Sequence, residues 1–120
     1  PLMAGFTHLL TGFENHGGGT TLGPDARPLG KVLVGVGNGS VDDSLEADDS
    51  SSVLYEGAVQ GSIIGTYLHG PALVRNPQLA DYLLAEALGV NPGELAEIEM
   101  PLVERLRSER LQAVGVEEEN

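Results

Sequence analysis

The sequence predicts an α/β fold, with strands in its first half and helices in its second. Between residues 31 and 68, short apolar runs enriched in β-branched residues are separated by glycine-containing turns, a pattern typical of strands. From residue 76 onward, the apolar residues recur at helical spacing. A chain of 120 residues suffices for one small domain, and we expect no second one.

Four strands are predicted in the first half. The apolar run at residues 9–13 (Leu9, Leu10 and Phe13) stops at polar residues and glycines, which predicts a buried strand ending in a flexible loop. The β-branched run 31–36 predicts a second strand. Segments 53–55 and 63–68 predict two more, joined through residues 57–61.

A helix is predicted to begin at Asn76 and Pro77. The Asn side chain can cap free amides, and proline at the first helical position loses no hydrogen bond. Helical spacing continues until Gly89, and we expect the apolar stripe to face a sheet while Asp81 and Glu86 point to solvent. The stripe consists of Leu79, Ala80, Leu83, Leu84, Ala87 and Leu88.

A second helix is predicted over residues 102–113. Arg105 and Glu109 are four residues apart, so they can form an ion pair that contributes ~0.3 kcal/mol. The expected apolar face consists of Leu102, Val103, Leu106, Ala113 and the aliphatic stem of Arg110.

Acidic residues are concentrated in two segments. Residues 42–52 hold five carboxylates and four serines, too polar to gain from burial, so we expect a mobile surface loop there. Residues 117–120 are expected to fray. We therefore divide the chain into part of a domain, residues 1–114, and an acidic tail, residues 115–120.

The composition excludes several classes of function. A net charge of −12 would repel nucleic acid, so none is expected as a partner. The chain has no cysteine for a disulfide or a metal site, the histidine spacings match no compact ligand pattern, and no apolar run approaches the roughly 20 residues of a membrane span. We expect a cytoplasmic protein without a metal. Because the chain starts with Pro1 directly in an apolar segment, we also expect a fragment or processed product.

Residues 12–18 (GFENHGG) form a candidate binding loop. Glu14, Asn15 and His16 offer a full range of hydrogen-bond donors and acceptors, and the glycines from Gly17 onward allow a ligand to approach the backbone. A loop closed by its own hydrogen bonds is the alternative.

Residues 65–71 (GTYLHGP) place an imidazole just past a predicted strand. A side chain at this position is held rigidly, and an imidazole can serve as a general base. The residues alone leave a catalytic and a structural histidine equally open.

Together, segments 12–18 and 65–71 resemble the paired motifs of CobB/CobQ-like class I glutamine amidotransferases, most of all the glutaminase subunits of lipid II isoglutaminyl synthases. The similarity extends from residue 10 to about residue 88. It includes RPLG at 27–30, VGNG at 36–39 and NPQLAD at 76–81.

The resemblance implies a three-layer α/β sandwich with a mostly parallel sheet, of which this chain supplies later strands and the C-terminal helices. It also implies that His69 is the catalytic base and that Glu14, Asn15, His16 and Gly17 bind the substrate, L-glutamine. Amide hydrolysis by covalent catalysis requires such an imidazole to take a proton from a thiol and return one to departing ammonia.

The sequence departs from the family pattern in three places. The family's cysteine nucleophile is absent and would have to lie in a preceding N-terminal half, so we expect the chain alone to be inactive. Many relatives have a glutamate two positions after the histidine, where Pro71 stands here. Gly19 replaces a longer polar residue, which would weaken binding if that residue contacts glutamine or the partner.

The resemblance further implies a partner. A Mur-ligase-like synthetase would use ATP and Mg²⁺ to activate the D-glutamate α-carboxyl of lipid II, and ammonia from glutamine would amidate it for peptidoglycan synthesis. This chain itself would need no cofactor. Two alternatives are a cobyric acid synthase, which shares the Tyr-Leu-His-Gly signature, and an inactive binding or structural fragment.

Overall fold

Short strands precede α-helices along the chain, which confirms the predicted α/β class. The computed structural model describes residues 1–39 and 53–118, and the predicted acidic loop at 42–52 lies outside them. The described strands are β1 (Gly30–Lys31), β2 (Tyr55–Glu56), β3 (Ala58–Gln60) and β4 (Ile63–Gly65). The described helices are α1 (Ala72–Arg75), α2 (Pro77–Leu88) and α3 (Pro101–Ala113), with a 3-10 turn at Pro92–Glu94.

The chain divides into two compact units. The first unit comprises Pro1–Gly5 and Phe13–Leu68, and the second comprises Phe6–Gly12 and His69–Asn120. The described strands therefore all belong to the first unit and the described helices to the second.

The described strand pairs are antiparallel, which differs from the mostly parallel sheet expected from the resemblance. Strand β1 pairs with β2, and β3 pairs with β4 with Val59 opposite Ile64. Only Gly61 and Ser62 connect β3 to β4, and a two-residue turn reverses the chain, whereas a parallel pair needs a crossover of about a dozen residues. Residues 57–61 were predicted to join two strands, but they contain β3, and the strand predicted at 63–68 ends at Gly65.

The core of the first unit forms around Leu29, which is fully buried, and Val59. Gly57 lies against this core with a φ of +72°. A Cβ atom at Gly57 would lie 2.7 Å from the Leu29 Cβ atom and 2.6 Å from the Gly65 carbonyl oxygen. Glycine is therefore required where β2 passes into β3.

The strand predicted at residues 31–36 is much shorter in the structure. Only Lys31 belongs to β1, and the chain then bends, leaving Leu33 and Val34 exposed. The cause is a distant side chain: the Glu14 carboxylate accepts hydrogen bonds from the backbone amides of Val36 and Gly37, which a strand would direct to a neighbouring strand.

No strand forms at residues 9–13, so that prediction is wrong. Side chains bind the backbone groups that a strand would have bound. The Leu9 amide donates to Glu118 Oε1 at 2.6 Å, and its carbonyl accepts a hydrogen bond of 2.8 Å from Arg107 Nη1. Arg107 also forms an ion pair with Glu118, so the prediction of a frayed end is wrong at Glu118.

The helix predicted from Pro77 to the residue before Gly89 is confirmed as α2. Pro77 occupies its first turn, and Gly89 follows it in the left-handed conformation. The capping role predicted for Asn76 is wrong, because its side chain binds Thr11 and Ala72 instead. Of the predicted stripe only Leu79 is buried, together with Ala85, while Leu84 and Leu88 are exposed.

The second predicted helix is confirmed as α3, and so is its ion pair: Arg105 Nε lies 2.8 Å from Glu109 Oε1. The predicted apolar face is wrong. The buried residues are Arg107 and Leu111, whereas Leu102 and Leu106 are exposed. The Arg107 guanidinium is stable at this depth because Glu118 and the Leu9 carbonyl accept its hydrogen bonds.

Candidate functional site

Glu14 fixes the loop at residues 12–18 to the bend that follows β1. Its Oε1 atom accepts hydrogen bonds from the amides of Val36 at 2.9 Å and Gly37 at 2.5 Å, and Oε2 accepts from Val36 at 3.0 Å. Gly35 allows this approach with a φ of +117°, since a Cβ atom there would lie 2.9 Å from Glu14 Oε1. Glu14 thus acts on the loop backbone through charge-assisted hydrogen bonds.

His16 lies flat against Tyr67. The two ring centroids are 3.7 Å apart and the ring planes differ by 12°. His16 Nδ1 donates to the Gly18 carbonyl at 2.8 Å, because a carbonyl oxygen only accepts. In the neutral ring, Nε2 is then the acceptor. This atom is buried and has no hydrogen-bond partner among the described residues.

Tyr67 joins the two motif segments. It belongs to segment 65–71, stacks on His16 of segment 12–18, and its hydroxyl lies 2.7 Å from Thr20 Oγ1. The Tyr67 amide donates to Glu56 Oε1 at 2.6 Å. Both the ring and the backbone of Tyr67 are therefore held in place within the first unit.

Glu56 is the buried anchor of segment 65–71. It lies in β2 and is 8% exposed. One carboxylate oxygen accepts from the Thr66 hydroxyl at 2.8 Å and from the Tyr67 amide, and the Thr66 hydroxyl in turn accepts from the Leu68 amide at 3.1 Å. Glu56 thereby fixes the residues that lead to His69. Sequence analysis missed it, because a single glutamate beside a glycine carries no pattern.

Asn38 is a second buried polar residue, which the sequence identified only as part of the VGNG segment. Its side-chain amide donates to the Gly57 carbonyl at 3.0 Å, and its side-chain oxygen accepts from the Gly57 amide at 2.8 Å. Its own carbonyl accepts from the Thr20 amide at 2.7 Å. The VGNG segment at 36–39 was a usable signal, since it belonged to the resemblance.

The remaining predicted site residues are accessible to solvent. Asn15 and Gly17 are exposed in the first unit. His69 is exposed and begins the second unit; Gly70 follows it at a φ of +91°, and Pro71 precedes α1. The structure thus joins His16 to segment 65–71 through Tyr67, and the roles of the five predicted site residues remain predictions.

The two motif segments that Tyr67 joins both lie within the part of the chain that matches a known protein family. The sequence profile of the CobB/CobQ-like glutamine amidotransferase domain matches residues 4–77, which include both motif segments. This match covers more than half of the chain. The chain therefore belongs to the CobB/CobQ-like glutamine amidotransferase family.

Comparison with individual proteins shows which members of this family the chain resembles. The chain is 35% identical over 106 residues to subunit GatD of the glutamine-hydrolyzing lipid II isoglutaminyl synthase of Streptococcus pneumoniae, covering 88% of this chain and 36% of that protein. It is 41% identical over 78 residues to the Staphylococcus aureus GatD, covering 65% of this chain and 27% of that protein. A probable cobyric acid synthase of Methanosphaera stadtmanae is 44% identical over 61 residues, or 51% of this chain and 10% of that protein.

The chain spans about a third or less of the length of these curated relatives. No solved structure matches it significantly. None of the helices in the described residues is long and apolar enough to cross a membrane.

Proposed function

We propose that this chain forms part of a glutamine amidotransferase whose ammonia amidates the D-glutamate α-carboxyl of lipid II in peptidoglycan synthesis. The observation that carries the proposal is the stacking of His16 on Tyr67, because it connects the two segments shared with the family. The match to the Streptococcus pneumoniae GatD over 88% of the chain supports the choice of acceptor.

In this proposal His69 is the catalytic base. It takes the proton of a cysteine thiol, the thiolate attacks the glutamine carboxamide, and the imidazolium returns the proton to departing ammonia. Glu56 supports this role, since it binds the Thr66 hydroxyl and the Tyr67 amide of the segment that leads to His69. His69 is itself exposed, so its imidazole is accessible to substrate.

The loop at residues 14–17 binds glutamine in the same proposal. Asn15 offers an exposed amide, and the Nε2 atom of His16 is a buried acceptor that has no hydrogen-bond partner within residues 1–39 and 53–118. Glu14 acts indirectly, because its carboxylate oxygens already accept backbone hydrogen bonds. Gly17 is exposed and has no side chain to block the approach of a ligand.

The complete enzyme requires parts beyond this chain. The 120 residues contain no cysteine, so the nucleophile and the oxyanion hole come from another segment or chain. With that segment, the domain is a three-layer sandwich around a mostly parallel sheet, of which residues 1–114 form the C-terminal part. A Mur-ligase-like synthetase uses ATP and Mg²⁺ to activate the acceptor.

The test is His69→Ala in the complete enzyme with its synthetase. Glutamine hydrolysis should fall at least about a hundredfold, the lower range for loss of a general base. Amidation of lipid II with ammonium as the nitrogen source should persist, because it bypasses thiol activation. His8→Ala is the matched control, since His8 lies in the second unit outside both motif segments. Normal glutamine-dependent turnover by His69→Ala would contradict the assignment.

A corrin acceptor is the second candidate, favoured by the identity to a probable cobyric acid synthase. Both candidates share the glutaminase step and differ only in the amidated carboxylate. Mass analysis of the products formed from lipid II and from a corrin carboxylate distinguishes them. If neither acceptor is amidated and no glutamine is hydrolysed, the chain is a binding or structural module.

A further inference from the structure

Half of the positive side chains in this acidic protein line one cavity. The chain has 18 Asp and Glu but only six Lys and Arg residues. Three of the six, Arg75, Arg107 and Arg110, line a cavity of about 80 Å³ in the second unit. Arg107 is paired with Glu118, which leaves Arg75 and Arg110 as a local excess of positive charge at the cavity, a feature typical of anion-binding sites.

Arg107 is built into the wall of this cavity. It is 3% exposed, and its terminal nitrogens donate to the Leu9 carbonyl and to Glu118. Its Nε atom is buried and has no hydrogen-bond partner among the described residues, and the same holds for Nε of Arg75. Both Nε atoms are enclosed by the protein, and the terminal nitrogens of Arg107 are already occupied, so Arg75 and Arg110 are the side chains available to a ligand in the cavity.

The other two guanidinium groups repel one another. Within the described part of the chain, no carboxylate forms a salt bridge with Arg75 or Arg110. Burial, and next the nearby charge of Arg110, lower the pKa of the Arg75 guanidinium below its ordinary value. An anion between the two guanidinium groups would remove this unfavourable interaction.

The remaining walls are largely apolar, formed by Pro71, Val74, Val103 and Leu106. We propose that this cavity binds a carboxylate on a short aliphatic stem, with the stem against the apolar wall and the carboxylate on the arginines. Arginine suits this ligand because its planar N–H groups match the two carboxylate oxygens. The site is independent of the proposed glutaminase activity.

The ligand is either a free small acid or the carboxylate side chain of another protein. Titration of the full chain with butyrate tests the shared chemistry, with nuclear magnetic resonance of the arginine Nε–H groups as the measurement. We expect saturable shifts of the Arg75 and Arg107 signals. Capped glutamate, acetylated and methylamidated, distinguishes the sources: tighter binding than butyrate indicates a protein side chain, and weaker binding indicates a free acid.

Two controls make the proposal falsifiable. Butyramide has the shape of butyrate without its charge; equal binding of both, or saturable binding of neither, overturns the proposal without any variant. Arg110→Gln should weaken butyrate binding at least tenfold. Arg105→Gln is the matched control, because Arg105 lies on the same helix, is exposed and pairs with Glu109. Equal weakening by both variants would indicate only diffuse electrostatic attraction and would also overturn the proposal.

Discussion

Replacing Glu56 should lower the free energy of unfolding of the first unit, and the size of the loss can be calculated from the hydrogen bonds that Glu56 accepts. One Glu56 oxygen accepts from the Thr66 hydroxyl and from the Tyr67 amide, at 2.8 and 2.6 Å. A hydrogen bond to a charged group contributes about 1.5–3 kcal/mol, and the residue is too buried for water to replace it. Taking the lower value twice, Glu56→Ala should reduce the free energy of unfolding by about 3 kcal/mol.

The Glu56→Gln variant separates the contribution of the charge to stability from that of the acceptor oxygen. Glutamine keeps an oxygen at the same place but loses the charge, which roughly halves the strength of the bonds. We therefore expect a loss of about 1.5 kcal/mol, half that of Glu56→Ala. Urea unfolding followed by circular dichroism measures both values, and an unchanged denaturant slope shows that the unfolded state is unaltered.

An exposed glutamate provides the control. Glu86→Ala removes a carboxylate from the solvent side of α2 and should change stability by less than about 0.5 kcal/mol. A loss below about 1 kcal/mol for Glu56→Ala would refute the reasoning, since that is less than one charged hydrogen bond contributes. Equal losses for the alanine and glutamine variants would refute it too, because the acceptor oxygen would then contribute nothing.

Two further predictions concern the second unit. Asn76→Ala should lower the free energy of unfolding by about 2–3 kcal/mol, because it leaves the half-buried Thr11 backbone groups without their side-chain partners; a change below about 1 kcal/mol in urea unfolding would contradict this. Gly89→Ala should cost about 1 kcal/mol through the left-handed conformation alone, since a Cβ atom there would meet nothing within 4 Å. Thermal unfolding measures this cost, and an unchanged or raised midpoint would refute the argument.

The helices were predictable because their signals are local. Pro77 at the start of α2 and Gly89 after its end are adjacent in sequence to the residues they affect. The strands were less predictable because side chains far away in sequence compete for their backbone groups. Glu14 bends the chain 22 residues later at Val36, and Glu118 binds the Leu9 amide across 109 residues. No pattern in either segment contains that information.

In the candidate site too, residues with local signals were predictable and residues that depend on distant contacts were not. His16 and His69 were identified as candidates because they lie beside glycines in recognisable motifs. The buried polar residues that support them were missed, since Glu56 and Asn38 are of types that usually lie on the surface. Their burial depends on partners that are adjacent only in the folded chain.

Asn38 and Asn76 each give one residue of another segment both hydrogen bonds that a neighbouring strand would supply. Asn38 does so for Gly57. Asn76 does so for Thr11: it accepts from the Thr11 amide and donates to the Thr11 carbonyl, each at 2.7 Å. Gly57 and Thr11 lie outside the described strands, so no strand ladder satisfies these backbone groups, and a backbone group left unpaired inside a folded chain costs free energy. The two asparagines take the place of a strand there, so these positions require a side chain that both donates and accepts, which aspartate and leucine cannot do.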